Sequence, residues 1–354
     1  MAVRSRPVAA LQLCLLSALV VALAVVAQQA DPAHGAFPGS NGKIAFASNR
    51  DGDDEIYTMN PAGTDIQQLT SNSGIPDSRP AWSADGRIAF ESTREAAQFD
   101  IYIMMADGSG QARITNDPAE DSEPAWSPSG TQLSFQTTRD AGDYEVYRMD
   151  ADGSDPVRLT NVPGIDRHSV WSPDGTKIAF RSARDAGDGE VYVMDADGAN
   201  PANLSNSPGF DSRPAWSPDG TKIAFNTDRD GNDEIYVMDA GGTNQVRLTN
   251  NTTADNTAAW SPDGTKIAFV STRDGNSEIY MMDADGSNQI NLTNDPAQDT
   301  WPDWQPVAAV GGLTELPAAD RGRGGPASPI VVAAGLAAVL LAGAVAGRLR
   351  LGVS

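Results

Sequence analysis

Short apolar runs separated by glycine-containing turns recur through the middle of the chain. Runs of the type Ile-Ala-Phe, the first of which ends at Phe46, are continuous, which is typical of strands covered on both faces. Asp-Gly pairs such as Asp274-Gly275 supply the positive φ that hairpin turns require. The last run of each unit, such as 247–249, is shorter and more polar, as suits an outer edge strand. The pattern predicts units of four strands and an all-β fold.

These units repeat with a period of 44 or 45 residues, which fits four strands per unit. The first strand of each unit ends in a tryptophan, at Trp82, Trp126, Trp171, Trp216, Trp260 and Trp304. The second ends near a phenylalanine, at Phe46, Phe90, Phe135, Phe180, Phe225 and Phe269. The third contains Tyr-x-Met, with its tyrosine at Tyr57, Tyr102, Tyr147, Tyr192, Tyr236 and Tyr280. Four-stranded units repeated radially make a β-propeller.

The two ends of the repeat region indicate how such a ring closes. The first unit begins near Lys43 with its second strand, and the last unit ends at Trp304 with a first strand. The chain therefore has six first strands and six sets of the other three strands, but one first strand and one set of three lie at opposite ends of the repeat region. These make a complete blade only if the C-terminal Trp strand pairs with the N-terminal blade. We predict an all-β, six-bladed β-propeller of four-stranded antiparallel blades over residues 37–305, closed in this way.

The segments that flank the repeats predict export and membrane attachment. Arg4 and Arg6 precede an apolar run and small residues, so residues 1–36 are predicted to be a signal peptide, with an uncleaved anchor as the alternative. Residues 306–329 are rich in Pro, Gly and Ala and predict a linker. Residues 330–347 predict a transmembrane helix, and 348–354 a short basic cytoplasmic tail. Residues 316–320 weakly resemble a sortase signal, which keeps wall anchoring as a second alternative.

Composition excludes several classes of function. The formal net charge of −22 argues against a nucleic-acid-binding protein. One cysteine, Cys14, and two histidines, His34 and His168, exclude a disulfide framework, a cysteine zinc site and a histidine-rich metal site. The chain has no Gly-x-Ser-x-Gly, His-Glu-x-x-His, P-loop or GxGxxG motif, so we predict that it is not an enzyme.

The repeats over residues 41–305 resemble the TolB-type repeat, a WD40-like β-propeller family. The resemblance lies in the motifs Trp-Ser-Pro-Asp-Gly, Lys-Ile-Ala-Phe and Met-Asp-Ala-Asp-Gly. This resemblance implies a propeller on the outer side of a bacterial membrane. TolB is similar but adds an N-terminal α/β domain and contacts peptidoglycan-associated lipoprotein; we expect no such domain between the signal peptide and Lys43. The propellers of tricorn and prolyl peptidases are also similar, but those families need a separate catalytic domain.

Two sixfold sets of polar residues are candidates for function. Five residues before each tryptophan is an aspartate, namely Asp77, Asp121, Asp166, Asp211, Asp255 and Asp299. These carboxylates are predicted either to bind a cation such as Ca²⁺ or to pair with the equally repeated arginines. The arginines are Arg50, Arg94, Arg139, Arg184, Arg229 and Arg273. We favour pairing and expect no metal site and no cofactor.

Three residues before each tryptophan the residue type changes from blade to blade. These positions hold Arg79, Glu123, His168, Arg213, Thr257 and Trp301. In families of this type the loops leading into the inner strands surround the channel mouth, so these side chains are predicted to converge on one opening. Varied residues on a fixed scaffold are what a binding site needs, with ordinary loop variation as the alternative.

We therefore predict an exported, membrane-anchored propeller on the extracytoplasmic face of a bacterial plasma membrane. Its predicted role is that of a non-catalytic binding scaffold for a protein or a cell-envelope component such as a glycan, without nucleic acid as a partner. Two alternatives stay open at this point. One is a TolB-like role in envelope integrity or transport. The other is a glycan-active lyase or hydrolase that uses mouth carboxylates and His168.

Overall fold

The computed structural model describes residues 38–307 apart from 96, 141 and 186–188. The predicted signal peptide, transmembrane helix (330–347) and cytoplasmic tail lie outside the described residues, as does the linker from residue 308 onward. No helix among the described residues combines the length and the apolar character needed to cross a membrane. The regular structure of this region consists of strands joined by turns.

Twenty-four strands follow one another along the described chain. They are β1 (Ser40–Ser48), β2 (Glu55–Met59), β3 (Gln67–Gln68), β4 (Asp77–Trp82), β5 (Arg87–Ser92), β6 (Asp100–Met105), β7 (Ala112–Arg113), β8 (Asp121–Trp126), β9 (Gln132–Thr137), β10 (Glu145–Asp150), β11 (Val157–Arg158), β12 (Asp166–Trp171), β13 (Lys177–Ser182), β14 (Glu190–Asp195), β15 (Ala202–Asn203), β16 (Asp211–Trp216), β17 (Lys222–Thr227), β18 (Glu234–Asp239), β19 (Val246–Arg247), β20 (Asp255–Trp260), β21 (Lys266–Ser271), β22 (Glu278–Asp283), β23 (Ile290–Asn291) and β24 (Asp299–Val307).

The strands form six antiparallel sheets of four strands, which are the blades of a propeller. Five blades are continuous in sequence, from β4–β7 to β20–β23, while the remaining blade has the order β24-β1-β2-β3. In that blade Ser48 pairs with Asp299 and Ile44 with Trp304, so the two ends of the repeat region share one sheet. The predicted six-bladed fold and its closure by the C-terminal Trp strand are confirmed.

The Trp-bearing strands β24, β4, β8, β12, β16 and β20 are innermost, because each contacts the next around the ring. The hydrophobic core lies between adjacent blades. In one such interface Ala45 and Ile56 of the closing blade pack against Trp82, Phe90 and Tyr102 of the next blade. The continuous apolar runs fit this arrangement, since each blade is covered by a neighbour on both faces.

Each blade also pairs its phenylalanine with its tyrosine across the second and third strands. The register places Phe46 opposite Tyr57, and the ring centroids of the six such pairs lie 5.7–6.0 Å apart. Pairs of this geometry add about 0.5–1.5 kcal/mol each beyond simple burial. The repeated aromatic residues are therefore structural, which leaves the non-repeated positions to carry function.

Candidate functional site at the channel mouth

Every innermost strand contains a β-bulge at the variable position found in the sequence. In β4 the register runs from Ser78 opposite Glu91 to Ala81 opposite Ala89, so that two residues of β4 oppose one residue of β5. The same shift occurs in the other five blades. The first bulged residues are Arg79, Glu123, His168, Arg213, Thr257 and Trp301, and their φ values lie between 51° and 58°.

Left-handed backbone is unusual for residues other than glycine and costs roughly 1–3 kcal/mol at each position. A bulge bends its strand and redirects a side chain, and bulges are common beside functional sites. Here six strained bulges turn side chains of five different types toward one opening. The bulges themselves were not predicted from the sequence, although proline follows the bulged residue in four blades, at Pro80, Pro124, Pro214 and Pro302.

The six bulged residues line one cavity of about 220 Å³ inside the ring of innermost strands. This cavity is called the channel cavity below, and the six bulged residues are called the mouth residues. The same cavity is also lined by small apolar residues such as Ala81, Ala215 and Ala259, and by the six repeat tryptophans. The structure therefore brings all six predicted mouth residues together.

One half of the mouth is a closed network of charges. The Arg79 guanidinium contacts Glu91 Oε1 at 2.6 Å through Nη1, and its Nε lies 3.1 Å from Glu123 Oε1. His168 Nε2 lies 3.4 Å from the same Glu123 oxygen. Glu91 Oε2 also accepts a hydrogen bond from the backbone N–H of Glu123 at 3.1 Å, which ties the carboxylate to the neighbouring bulge.

Burial and these contacts shift the ionisation of the network. Burial would raise the pKa of Glu123, but His168 and then Arg79 and Arg213 reverse this and hold the pKa at about 2. Burial lowers the pKa of His168, with Glu123 opposing the change. Burial raises the pKa of Glu91, and Arg79 opposes that rise. Near neutral pH the mouth thus contains an ionised Glu123 that Arg79 already neutralises.

The other half of the mouth is built around Trp301. The guanidinium carbons of Arg79 and Arg213 lie over its ring, 4.5 Å and 4.7 Å from the centroid. Arg213 differs from Arg79 because no described carboxylate lies within 4.0 Å of it, and its buried Nε has no hydrogen-bond partner among the described residues. Thr257 completes this half, and its hydroxyl donates to Asn256 Oδ1 at 2.9 Å.

The repeated aspartates are arranged as ion pairs, not as a shared ring. Each carboxylate is fully buried and contacts one repeat arginine: Arg50–Asp299, Arg94–Asp77, Arg139–Asp121, Arg184–Asp166, Arg229–Asp211 and Arg273–Asp255, at 2.5–3.1 Å. Each arginine also lies over the phenylalanine and tyrosine rings of a blade, as Arg139 does over Phe135 and Tyr147. In residues 38–307, outside the gaps, no three His, Cys, Asp or Glu side chains converge as metal ligands would.

Two acidic residues of the site were missed by sequence reasoning. Glu91 lies on a second strand, where the equivalent residues of other blades include Gln136, Asn226 and Val270, so the variation was the only available signal. Asp303 lines the channel cavity at a position that is alanine or valine in the other five blades. Its carboxylate accepts a hydrogen bond from the backbone N–H of Trp82 at 2.6 Å, and burial raises its pKa to about 7.

Comparison with solved structures places this architecture among known propellers. TolB from Acinetobacter baumannii superposes with a TM-score of 0.67 and 26% identity, over 77% of this chain and 68% of that one. A protein of Agrobacterium tumefaciens that also bears the name TolB gives 0.59 and 21%, over 75% and 99%. An oligogalacturonate lyase from Vibrio parahaemolyticus shares the fold alone, at 0.50 and 13%, over 73% and 77%.

No curated protein matches the chain in sequence. The sequence profile of the TolB beta propeller domain, by contrast, matches residues 124–207 and 200–310, which together exceed half of the chain. The matched region contains four of the six mouth bulges as well as the closing strand β24. On this evidence the chain belongs to the TolB β-propeller family.

Proposed function

We propose that this protein is a non-catalytic binding scaffold that takes a protein or a cell-envelope component at the channel mouth. The observation that carries the proposal is the set of six bulges, which share one strained backbone but present side chains of five different types. Strain of this kind persists where the surrounding structure over-determines it, and it clusters at functional sites. A cavity with an apolar interior and a few convergent polar groups is the usual form of a binding site.

The setting of this scaffold is part of the same proposal. The predicted signal peptide and C-terminal apolar segment would hold the propeller outside a bacterial plasma membrane, which agrees with membership of the TolB propeller family. A role in envelope integrity or transport is the narrower version of this function. It predicts that a captured partner is itself an envelope lipoprotein or part of a complex that spans the envelope.

Affinity capture with the full chain tests the proposal. The wild type and the triple variant Arg79→Ala, Arg213→Ala, Trp301→Ala are immobilised and exposed to crosslinked envelope extract. A matched control carries Lys177→Ala, Lys222→Ala and Lys266→Ala, at strand ends opposite to the mouth. A partner retained by the wild type and the lysine control, but lost by the mouth variant, supports the scaffold. Identical retention by all three contradicts it.

An enzymatic function has one supporting contact, the 3.4 Å approach of His168 Nε2 to Glu123 Oε1. A histidine beside a carboxylate is a common arrangement for general base catalysis. The histidine would be the base of such a pair, and burial lowers the pKa of His168, which makes its imidazole a weaker base. Turnover of an acidic glycan by the wild type, abolished in His168→Ala, would favour a lyase or hydrolase over the scaffold.

A further inference from the structure

The mouth is electrically asymmetric, although its backbone is nearly sixfold. Arg79 is neutralised by Glu91 and Glu123, which lie within 3.1 Å of it. Arg213 contacts the ring of Trp301 but forms no ion pair with any described residue, in a chain that carries 47 acidic side chains. A partly buried guanidinium that forms no ion pair is costly, and a bound anion in direct contact with it reduces that cost.

The size and chemistry of the site limit which anion fits. One unpaired guanidinium matches one negative charge, and its planar fork binds a carboxylate through two parallel hydrogen bonds. A doubly charged phosphate would need more donors than this single unpaired guanidinium supplies. The structure therefore favours a carboxylate as the group bound by Arg213.

The channel cavity that Arg213 lines indicates what the carboxylate is attached to. Its lining includes Pro80, Pro124, Pro214 and Pro302, and its volume is about 220 Å³. An apolar group placed there loses contact with water, which is favourable by roughly 25 cal/mol for each Å² buried. Because innermost strands surround the cavity on all sides, a ligand enters along the channel axis, and a chain end does this more easily than the middle of a chain.

We propose that Arg213 binds the C-terminal carboxylate of a partner protein whose last residue is apolar, with that side chain inside the channel cavity. This rests on the proposed function and identifies the part of the partner that is recognised. The preceding residues of the partner lie against the neutralised half of the mouth, where Glu123 offers an acceptor for a backbone N–H group.

Binding of two matched peptides to the full chain tests this inference. The first is a fluorescein-labelled Gly-Ser-Gly-Ser-Leu with a free carboxylate, and the second is the same peptide as its C-terminal amide. We expect the acid to bind roughly 10- to 100-fold more tightly, as is typical of a charged hydrogen-bonded pair. Arg213→Gln should reduce this ratio to about 1 by weakening the acid only. Arg213→Lys, which keeps the charge but not the fork, should give an intermediate ratio.

Arg167→Gln is the matched control, because Arg167 lies next to the bulge of β12, over the ring of Tyr144, and does not line the channel cavity. It should leave the acid-to-amide ratio unchanged. Equal binding of acid and amide, an unchanged ratio in Arg213→Gln, or no binding of the acid up to roughly 10 mM overturns the inference. Hexanoate that competes as strongly as the peptide acid would show a free small acid as the ligand, and overturns the assignment to a chain end.

These outcomes are separate from those of the capture experiment. If a partner is captured through the mouth but the peptides show no preference for the acid, the scaffold stands and the role given to Arg213 falls. If neither experiment depends on the mouth residues, both proposals fall together.

Discussion

The innermost strands carry two kinds of position. The repeated structural residues, namely the Asp–Arg pairs and the core tryptophans, are called the wall below. The aspartates of the wall lie two residues from the mouth residues, yet wall and mouth differ in what they keep constant from blade to blade. In the wall each blade repeats one buried aspartate paired with one arginine, as in Asp121 with Arg139. In the mouth each blade repeats the backbone, with φ between 51° and 58°, but changes the side chain. The wall fixes geometry in six equal copies, and this allows the mouth to vary its chemistry without losing its shape.

The strand β24 contains the sharpest form of this contrast, and its two tryptophans give the largest predicted effect. Trp304 is 3% exposed and packs against Ile44 and Phe46, whereas Trp301 lies at the mouth under two arginines. Trp304→Ala should lower the free energy of unfolding by about 3–5 kcal/mol, because it leaves a cavity at the closure of the ring. Trp301→Ala should lower it by only about 1 kcal/mol, through lost cation–π contact.

Chemical denaturation of both alanine variants measures this difference in stability. Partner capture measures the corresponding difference in binding. Trp301→Ala should abolish capture while Trp304→Phe, which keeps most of the packing, should retain it. Equal destabilisation by the two alanine variants would mean that the mouth is part of the core, and the distinction between wall and mouth would be lost.

Removing one arginine of the repeated Asp–Arg pairs should lower the free energy of unfolding nearly as much as Trp304→Ala does. Arg139→Ala leaves the fully buried carboxylate of Asp121 without its partner, and loss of one member of a buried pair typically costs about 3–5 kcal/mol. The surface pair of Lys222 with Asp239 is the matched control, since its side chains are 47% and 37% exposed. Lys222→Ala should change the free energy of unfolding by less than about 1 kcal/mol. Similar losses in urea titrations of both variants would contradict a structural role for the repeated pairs.

The dependence of stability on pH distinguishes Asp303 from the alanine or valine at the equivalent position of the other five blades. Its folded pKa of about 7 lies above the ordinary value of 3.8, so the folded state binds this proton more tightly than the unfolded state does. The stability contributed by this group is therefore fully present below pH 3.8 and is lost as the pH rises to about 7. Asp303→Asn keeps the side chain's size but removes this titration.

The stability of the wild type relative to Asp303→Asn should fall on the order of 3–4 kcal/mol between those pH values. Titration of the other buried carboxyls cancels in this difference. Thermal or urea unfolding from pH 4 to pH 8 gives the comparison. A constant difference across the range would show that Asp303 keeps an ordinary pKa in the folded state.

The fold could be predicted from the sequence because the six blades require the same types of residue at equivalent positions. Each Trp, Phe and Tyr-x-Met position recurs at one period, and the unmatched strand at Trp304 indicated closure without any knowledge of contacts. The convergence of Arg79, Glu123, His168, Arg213, Thr257 and Trp301 also followed from the repeat, since residues equivalent in sequence become equivalent around an axis.

The arrangement within the mouth could not be predicted in the same way. Which charged residues pair with each other depends on distances between blades. Glu91 pairs with Arg79, and it reaches Glu123 because the bulge of the neighbouring blade directs the backbone N–H of Glu123 toward the Glu91 carboxylate. Asp303 was overlooked because a single aspartate among many carries no signal. It stands out only when it is compared with the equivalent residues of the other five blades, which are alanine or valine. The left-handed bulge was hidden because five of its six residues are not of a type that usually adopts positive φ.

The smallest predicted effect tests whether the mouth is strained for function. Thr257 is β-branched and has a φ of 55°, a conformation that is especially unfavourable for its side chain. Thr257→Gly should raise the free energy of unfolding by about 1 kcal/mol, since the relief of strain exceeds the entropy that glycine loses on folding. The adjacent Ala258, which has no positive φ, is the control, and Ala258→Gly should lower it by about 0.5–1 kcal/mol. Opposite signs at two neighbouring residues in one denaturation series would demonstrate stored strain at the mouth. A loss of stability in Thr257→Gly would instead mean that the hydroxyl contact with Asn256 outweighs the strain, and that the wall alone determines the bulge.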